Sequence, residues 1–313
     1  MFVGIDVGGT NLKAGLVDQE GHLLAAARRP LSGFTGAEDF ATDLTELVLQ
    51  AAKEGGVGVE ALESVGIGLP GAVDGGNVLF TTNIPMENVP LAKLFRQRLD
   101  VPVYLGNDAD CAAVGEFFGG AGRGCRDFVV VTLGTGIGAG IILDGKLRGG
   151  LASSEAGHMV IQQGGEPCNC GRRGCWERYA SATALIQQTR AAMEAHPESG
   201  LYQAAEALGT VDGRTAFQAA LAGDETALAV CRQYVEYLAD GTASLINILR
   251  PEVVAIGGGV AAAPEALLLE PLREMRGPGG LHARHGGRVT RVLRAELGND
   301  AGIIGAALLV RVQ

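Results

Sequence analysis

The sequence predicts an α/β protein built from two related lobes with a cleft between them. Three observations lead there. Apolar strands and amphipathic helices alternate along the whole chain. An opening pattern of strand, glycine turn and strand returns later, with Gly8 falling on Gly134 and Asp18 on Asp144, an offset of 126 in both cases. Glycine is also abundant, 49 of 313 residues, and it gathers at strand ends, where backbone has to turn sharply or come close to a ligand.

Taken in order, Phe2–Val7 and Leu12–Val17 read as apolar strands around a Gly-Gly-Thr turn, and Leu23–Ala27 as a third strand. From Ala37 to Lys53, the residues Phe40, Leu44, Leu47 and Val48 recur at helical spacing. Ser64–Gly68 is the next strand, closed by Pro70-Gly71, and Val101–Leu105 runs into Gly106-Asn107-Asp108 and an alanine-rich helix. Near residue 119 the pattern restarts with Phe128–Leu133, Gly134-Thr135-Gly136 and Gly138–Leu143. Beyond it, Ser181 caps a helix to Ala195, and a long helix from Asp224 to Leu249 stops at Arg250-Pro251. Val253–Ile256 leads through Gly257-Gly258-Gly259 into another helix, and a strand at Val289–Leu293 and a helix from Asp300 follow. The expected lobes are 1–118 with 300–313, and 119–299.

Composition narrows the function classes. Hydrophobic residues at 47% suffice for a large core, which excludes global disorder. The glycines keep no three-residue period, so a collagen-like chain is excluded too. A net charge of −10 argues against nucleic acid and anionic membranes as partners. No apolar run reaches the ~20 residues of a bilayer span. The start, Met1 to Asp6, lacks a charged leader region, so a cytoplasmic protein is expected.

The glycine turns suggest chemistry. In Asp6-Val7-Gly8-Gly9-Thr10-Asn11, successive N–H groups can aim at one anion, Thr10 adds a hydroxyl donor, and Asp6 suits a hydrated magnesium ion. A plain glycine hairpin accounts for the same residues without a ligand. Gly134-Thr135-Gly136 offers the same chemistry from the second half, and two such loops could hold the phosphates of one nucleotide. Gly257-Gly258-Gly259 would let a flat ligand approach the backbone, or set a helix N-terminus toward an anion. Two familiar nucleotide signatures fail. Gly66-Ile67-Gly68-Leu69-Pro70-Gly71 matches the dinucleotide pattern but leads into a turn at Ala72–Gly76 instead of a helix, and Gly145-Lys146 is followed by Leu147 instead of a hydroxyl residue.

His158, Cys168, Cys170 and Cys175 form H-x9-C-x-C-x4-C, a closed tetrahedral zinc set of the structural type, with Gly171 and Gly174 letting the loop wrap an ion. Three free thiols are the alternative, but Asn169, Arg172 and Arg173 make the segment too polar for an ordinary core. About one zinc per chain is expected. Cys111, Cys125 and Cys231 are isolated and read as small core residues.

With these motifs in place, the chain resembles the ROK family of sugar kinases, and within it the bacterial glucokinases. The matching stretches are IDVGGTN at 5–11, GIGLPGAVD at 66–74, GNDAD at 106–110, LGTGIGAG at 133–140, EAGH at 155–158, CNCGRRGCWERYAS at 168–181 and IGGGV at 256–260. The resemblance implies an actin-like (ribonuclease-H-like) ATPase fold, with ATP, Mg2+ and a structural Zn2+. It implies Asp108 as the general base toward the 6-hydroxyl of a hexose, with Asn83, Asn107, Glu155, His158 and Glu177 reading the sugar hydroxyls. His158 would then serve both the zinc and the sugar. Taken alone, Asp108 also reads as a helix N-cap, and Asp110 is its rival as base. Asn11 stands where many members have lysine, and Ala156 where phenylalanine is common. Glucose is the expected substrate; N-acetylglucosamine, N-acetylmannosamine and mannose are the alternatives. A sugar-sensing regulator is the other class in the family, expected to carry a DNA-binding segment ahead of the first turn. A homodimer or homotetramer is usual for such proteins.

Overall fold

The computed structural model describes residues 1–31, 33, 35–81, 84–149, 153–275 and 289–313. It divides into two compact units, one of Met1–Val130, Gly140–Ser154 and Glu296–Gln313, the other of Val131–Ala139 and Glu155–Ala295. The division differs from the lobes expected at 1–118 with 300–313 and 119–299, because residues 119–130, 140–154 and 296–299 pack with the first unit.

The first unit holds β1 (Phe2–Val7), β2 (Asn11–Val17), β3 (Leu23–Pro30), β4 (Ser64–Leu69), a small antiparallel sheet of β5 (Gly71–Asp74), β6 (Asn77–Thr81) and β7 (Glu87–Val89), and then β8 (Val103–Asn107). Its main sheet runs β3-β2-β1-β4-β8. Strands β1, β4 and β8 are parallel, with Asp6 opposite Gly68 and Leu69 opposite Asn107. Their carboxyl ends therefore share one edge, the place where open α/β sheets bind ligands. On one face, α1 (Ala37–Glu54) and α2 (Leu91–Arg96) bury Phe40, Leu44, Leu47 and Phe95 against Val3, Ile5, Val65 and Ile67. Side chains alternate across a strand, so Gly4 and Gly66 face the opposite side. There the C-terminal helix Ala301–Leu308 lies so close that a Cβ at Gly4 or Gly66 would overlap the carbonyl of Ile303 or Ala306.

The second sheet contains β9 (Phe128–Leu133), β10 (Ile137–Leu143), β11 (Lys146–Leu147), β12 (Val253–Gly257) and β13 (Arg291–Arg294), in the order β11-β10-β9-β12-β13. Adding 126 to the bounds of β1 and β2 reproduces those of β9 and β10. The internal repeat is thus present in the strand order as well as in the turn. The helices are α3 (Asp108–Gly119), α4 (Glu177–Ala180), α5 (Ala182–Ala195), α6 (Leu201–Leu208), α7 (Thr215–Leu221), α8 (Glu225–Leu249), α9 (Leu269–Met275) and α10, the C-terminal helix given above.

Three local expectations are corrected. The strand expected at Val101–Leu105 begins at Val103, after Pro102, which has no N–H to give a ladder. Residues 72–76 are mostly strand, with Gly75-Gly76 turning β5 into β6. The chain does not enter an α-helix directly after Gly259: a 3-10 turn spans Gly259–Ala262, because Pro264 keeps its predecessor out of helical backbone, and α9 starts at Leu269. Among the described residues, no helix is long and apolar enough to cross a membrane.

Candidate active site

At the carboxyl edge of the first sheet, β1 ends in Asp6 and the turn to β2 closes through a Gly8 N–H donating to the Asn11 carbonyl at 3.0 Å. Gly9, Thr10 and Asn11 are exposed there, and the Asn11 amide donates to the Thr10 hydroxyl at 2.9 Å. Surrounding protein raises the pKa of Asp6, opposed by Lys13, whose Nζ lies 3.9 Å away. Register pairs these two residues across β1 and β2.

On the same edge, β8 passes directly into α3. The N-cap of α3 is Asn107, whose Oδ1 accepts the Ala109 N–H at 2.8 Å while its Nδ2 donates to the Gly71 carbonyl at 2.9 Å. Asp108 is therefore not the cap, although its Oδ1 also accepts from Ala109 at 2.8 Å. Its carboxyl stays accessible to a small molecule. Desolvation by the surrounding protein, and then the Asp6 charge, hold its pKa above the ordinary carboxylate value. Asp110, the rival base, is buried. A carboxylate that is desolvated enough to be basic yet still accessible suits proton abstraction.

In the second unit, α5 holds the Gly134-Thr135-Gly136 turn by both carbonyls: Ala182 N–H donates to Gly134 O at 2.9 Å and Thr183 Oγ1 to Thr135 O at 2.8 Å. Ser181 caps that helix through the Ala184 N–H. Gly136 faces Glu177, whose Oε2 would stand 2.5 Å from a Cβ placed there. The other Glu177 oxygen lies 3.2 Å from Cys168 Sγ and 3.7 Å from His158 Nδ1. The structure thus gathers the second glycine turn, Glu177 and the cysteine loop.

The four candidate zinc ligands, His158, Cys168, Cys170 and Cys175, have donor atoms all within 4.8 Å of one another. Cys170 and Cys175 sulfurs are 3.6 Å apart, and Cys168 Sγ lies 3.5 Å from His158 Nδ1. A tetrahedral shell with Zn–S of ~2.3 Å and Zn–N of ~2.0–2.1 Å has edges of about 3.8 and 3.6 Å, so the donor set fits zinc. With Nδ1 turned to the sulfurs, His158 Nε2 faces Glu155 Oε2 at 3.7 Å, and the Glu155 carboxylate is mostly exposed. The turn carrying both residues sits against β10, where Gly157 leaves no room for a side chain beside Ile137 O.

Of the triple glycine, Gly258 is the position that demands glycine: its φ is +81° and a Cβ would meet Leu133 backbone. Beside Gly259 lies a pocket of about 230 Å³ lined by Arg214, Phe217, Leu221, Val260 and Pro264 among others. Its wall is braced by Arg294, whose Nη2 donates to Ala263 O at 3.0 Å and pairs with Glu265 at 3.2 Å. Nothing in the local sequence marks Arg214 or Phe217, which reach this pocket from α7 and the residue before it. Asn83, a candidate sugar contact, lies outside the described residues.

Two sheets of identical strand order, each with a glycine turn after its first strand, define the actin-like ATPase class. The chain belongs to the ROK family, whose profile matches residues 2–313. It is 38% identical over 316 residues to a glucokinase of Thermotoga maritima, covering 99% of this chain and 97% of that protein. A ROK glucokinase of Streptomyces griseus, solved with glucose and AMPPNP, superposes with a TM-score of 0.78 at 36% identity, covering 99% of both chains. A xylose repressor of Caldicellulosiruptor bescii is 33% identical over 236 residues, covering 74% of this chain and 59% of that protein.

Proposed function

We propose that this chain is an ATP-dependent hexokinase-type enzyme that phosphorylates glucose at its 6-hydroxyl. One observation carries the reading above the others. Asp108 heads α3 without having to cap it, on the sheet edge it shares with Asp6 and its glycine turn. The end-to-end match to glucokinases supports the same substrate pair.

In this reading the 6-hydroxyl gives its proton to Asp108 as its oxygen attacks the γ-phosphorus of ATP. The O6–P bond forms, the bond from that phosphorus to the bridging oxygen breaks, and ADP leaves with the electron pair. Asp108 then returns its proton to solvent. Asp6 would hold a hydrated magnesium ion, which would supply charge neutralisation on the phosphate oxygens. Gly8, Gly9, Thr10 and Asn11, with Gly134, Thr135 and Gly136, offer donors to the phosphates. The pocket beside Gly257–Gly259 takes the base.

For the sugar, Asn107 still has one N–H and one lone pair after its two structural bonds. Glu155, His158 Nε2, Glu177 and Asn83 complete the proposed hydroxyl-reading set. Zinc held by His158, Cys168, Cys170 and Cys175 would order this set without reacting. The enzyme is proposed to act as a cytoplasmic homo-oligomer. A coupled assay of ADP release over glucose, mannose, N-acetylglucosamine and N-acetylmannosamine tests the reading. The highest kcat/KM is expected for glucose; a better rate with another hexose reassigns the substrate, and no turnover with any hexose favours a sugar-sensing regulator.

A further inference from the structure

Glu116, in the last turn of α3, is 1% exposed and takes no part in the chemistry above. Among the described residues it has no basic partner. Its carboxylate is held by three backbone N–H groups instead: Oε2 accepts from Ala121 at 2.9 Å and Glu296 at 3.0 Å, and Oε1 accepts from Leu297 at 2.7 Å. Two of these donors are some 180 residues away in sequence. They belong to the segment that leads through a 3-10 turn, Gly298–Asp300, into α10.

A buried carboxylate is expensive, and a well-packed apolar residue would stabilise the helix pair at least as well. What the carboxylate supplies is register. Helices α3 and α10 meet backbone to backbone: a Cβ at Gly115 would overlap Ala301 O, and one at Gly305 would overlap Cys111 O. Such smooth surfaces lack the interlocking ridges that fix one helix lengthwise against another. Three directed N–H bonds at Glu116 provide that stop. The stop bears on the site because α3 begins with Asp108, while Gly302 of α10 lies 3.3 Å, from an ideal Cβ, to the Asp6 carboxyl carbon. Sliding α3 along α10 would displace Asp108 relative to Asp6.

We infer that Glu116 is a positioning residue, which locks α3 against the entry to α10 and thereby fixes the Asp108 carboxylate for proton abstraction. The inference rests on the kinase reading. Glu116→Gln keeps the shape but sets an amide NH2 against at least one backbone N–H. Measured per folded molecule, the variant is expected to lose about 10- to 100-fold in kcat, because a small misplacement of a reacting group is costly. Its KM for glucose should stay within about threefold, since the sugar contacts other than Asp108 are untouched. Leu297→Pro removes one of the three donors at a φ of −85° that proline accepts, and should give the same split if Glu116→Gln fails to fold. Arg123→Ala breaks the exposed ion pair to Glu296 and should leave both constants unchanged. A folded Glu116→Gln with wild-type kcat, or one whose loss disappears after correction for the folded fraction, overturns the proposal. Wild-type protein that shows no glucose-dependent ADP release overturns the kinase reading instead.

Discussion

Asp108 shows how one residue can be set against its own fold. Burial and the neighbouring Asp6 raise its pKa, so the folded chain holds the proton more tightly than the unfolded chain does. The contribution to stability is therefore full below the ordinary value of 3.8 and is lost as pH rises through the elevated one. Ionised Asp108 costs the fold something at neutral pH, and the proposed proton abstraction needs it ionised. Asp108→Asn is accordingly expected to lose about 10²- to 10⁴-fold in kcat. It should melt no lower than wild type at pH 7, with any gain vanishing below pH 3.8. Kinetics and thermal melts on the same samples check both halves; a variant that is active, or clearly less stable at pH 7, contradicts the assignment. The acid limb of the wild-type kcat/KM profile should likewise lie above the ordinary carboxylate value.

At the scale of elements, the cysteine loop and α8 meet through Trp176, the chain's one tryptophan. It is fully buried, its Nε1 donates to Tyr237 O at 2.9 Å, and Gly241 lies flat against its ring. Cys175 and Glu177 flank it in sequence, so proposed metal ligand, anchor and proposed sugar contact form one run. Removing the metal with a chelator is expected to red-shift Trp176 emission and weaken glucose binding together, and restoring zinc should reverse both. Gly241→Ala forces the ring to move and should cost about 1–3 kcal/mol by overpacking, read from denaturant melts.

Much of this element-scale organisation was legible in the sequence, because strands, glycine turns and the H-x9-C-x-C-x4-C spacing are local signals. The delay of α9 to Leu269 follows from Pro264, which is itself a local signal. Other features are invisible locally. Gly4 and Gly66 fall inside expected strands and Gly115 and Gly305 inside expected helices, with nothing local to mark them, yet they let α10 sink onto the sheet and α3. Asn107 reads as a sugar contact and turns out to cap α3 and tie it to Gly71 as well. Arg214 and Phe217 reach their pocket only through the packing of α7. No window of sequence contains the partners that give these residues their roles.

For the whole molecule, ligand binding supplies the test. A sugar that binds only folded protein stabilises it by about 2.7 kcal/mol at a hundred times its Kd. Glucose should raise the melting temperature of the zinc-loaded chain, and the shift should shrink in the Glu177→Ala variant, measured by scanning calorimetry. Equal shifts in both would remove Glu177 from the sugar site.

The repeat has one further consequence. Position 6 of the first half corresponds to position 132 of the second under the offset of 126, and there Thr132 stands in place of Asp6. Two copies of one scaffold have thus parted by a full negative charge at the same spot on the same strand. A divalent cation would meet a carboxylate in one copy and only a hydroxyl in the other. The repeated strands share bounds and order but not charge, so a Thr132→Asp substitution would return the second copy to the charge of the first without altering its strand pattern.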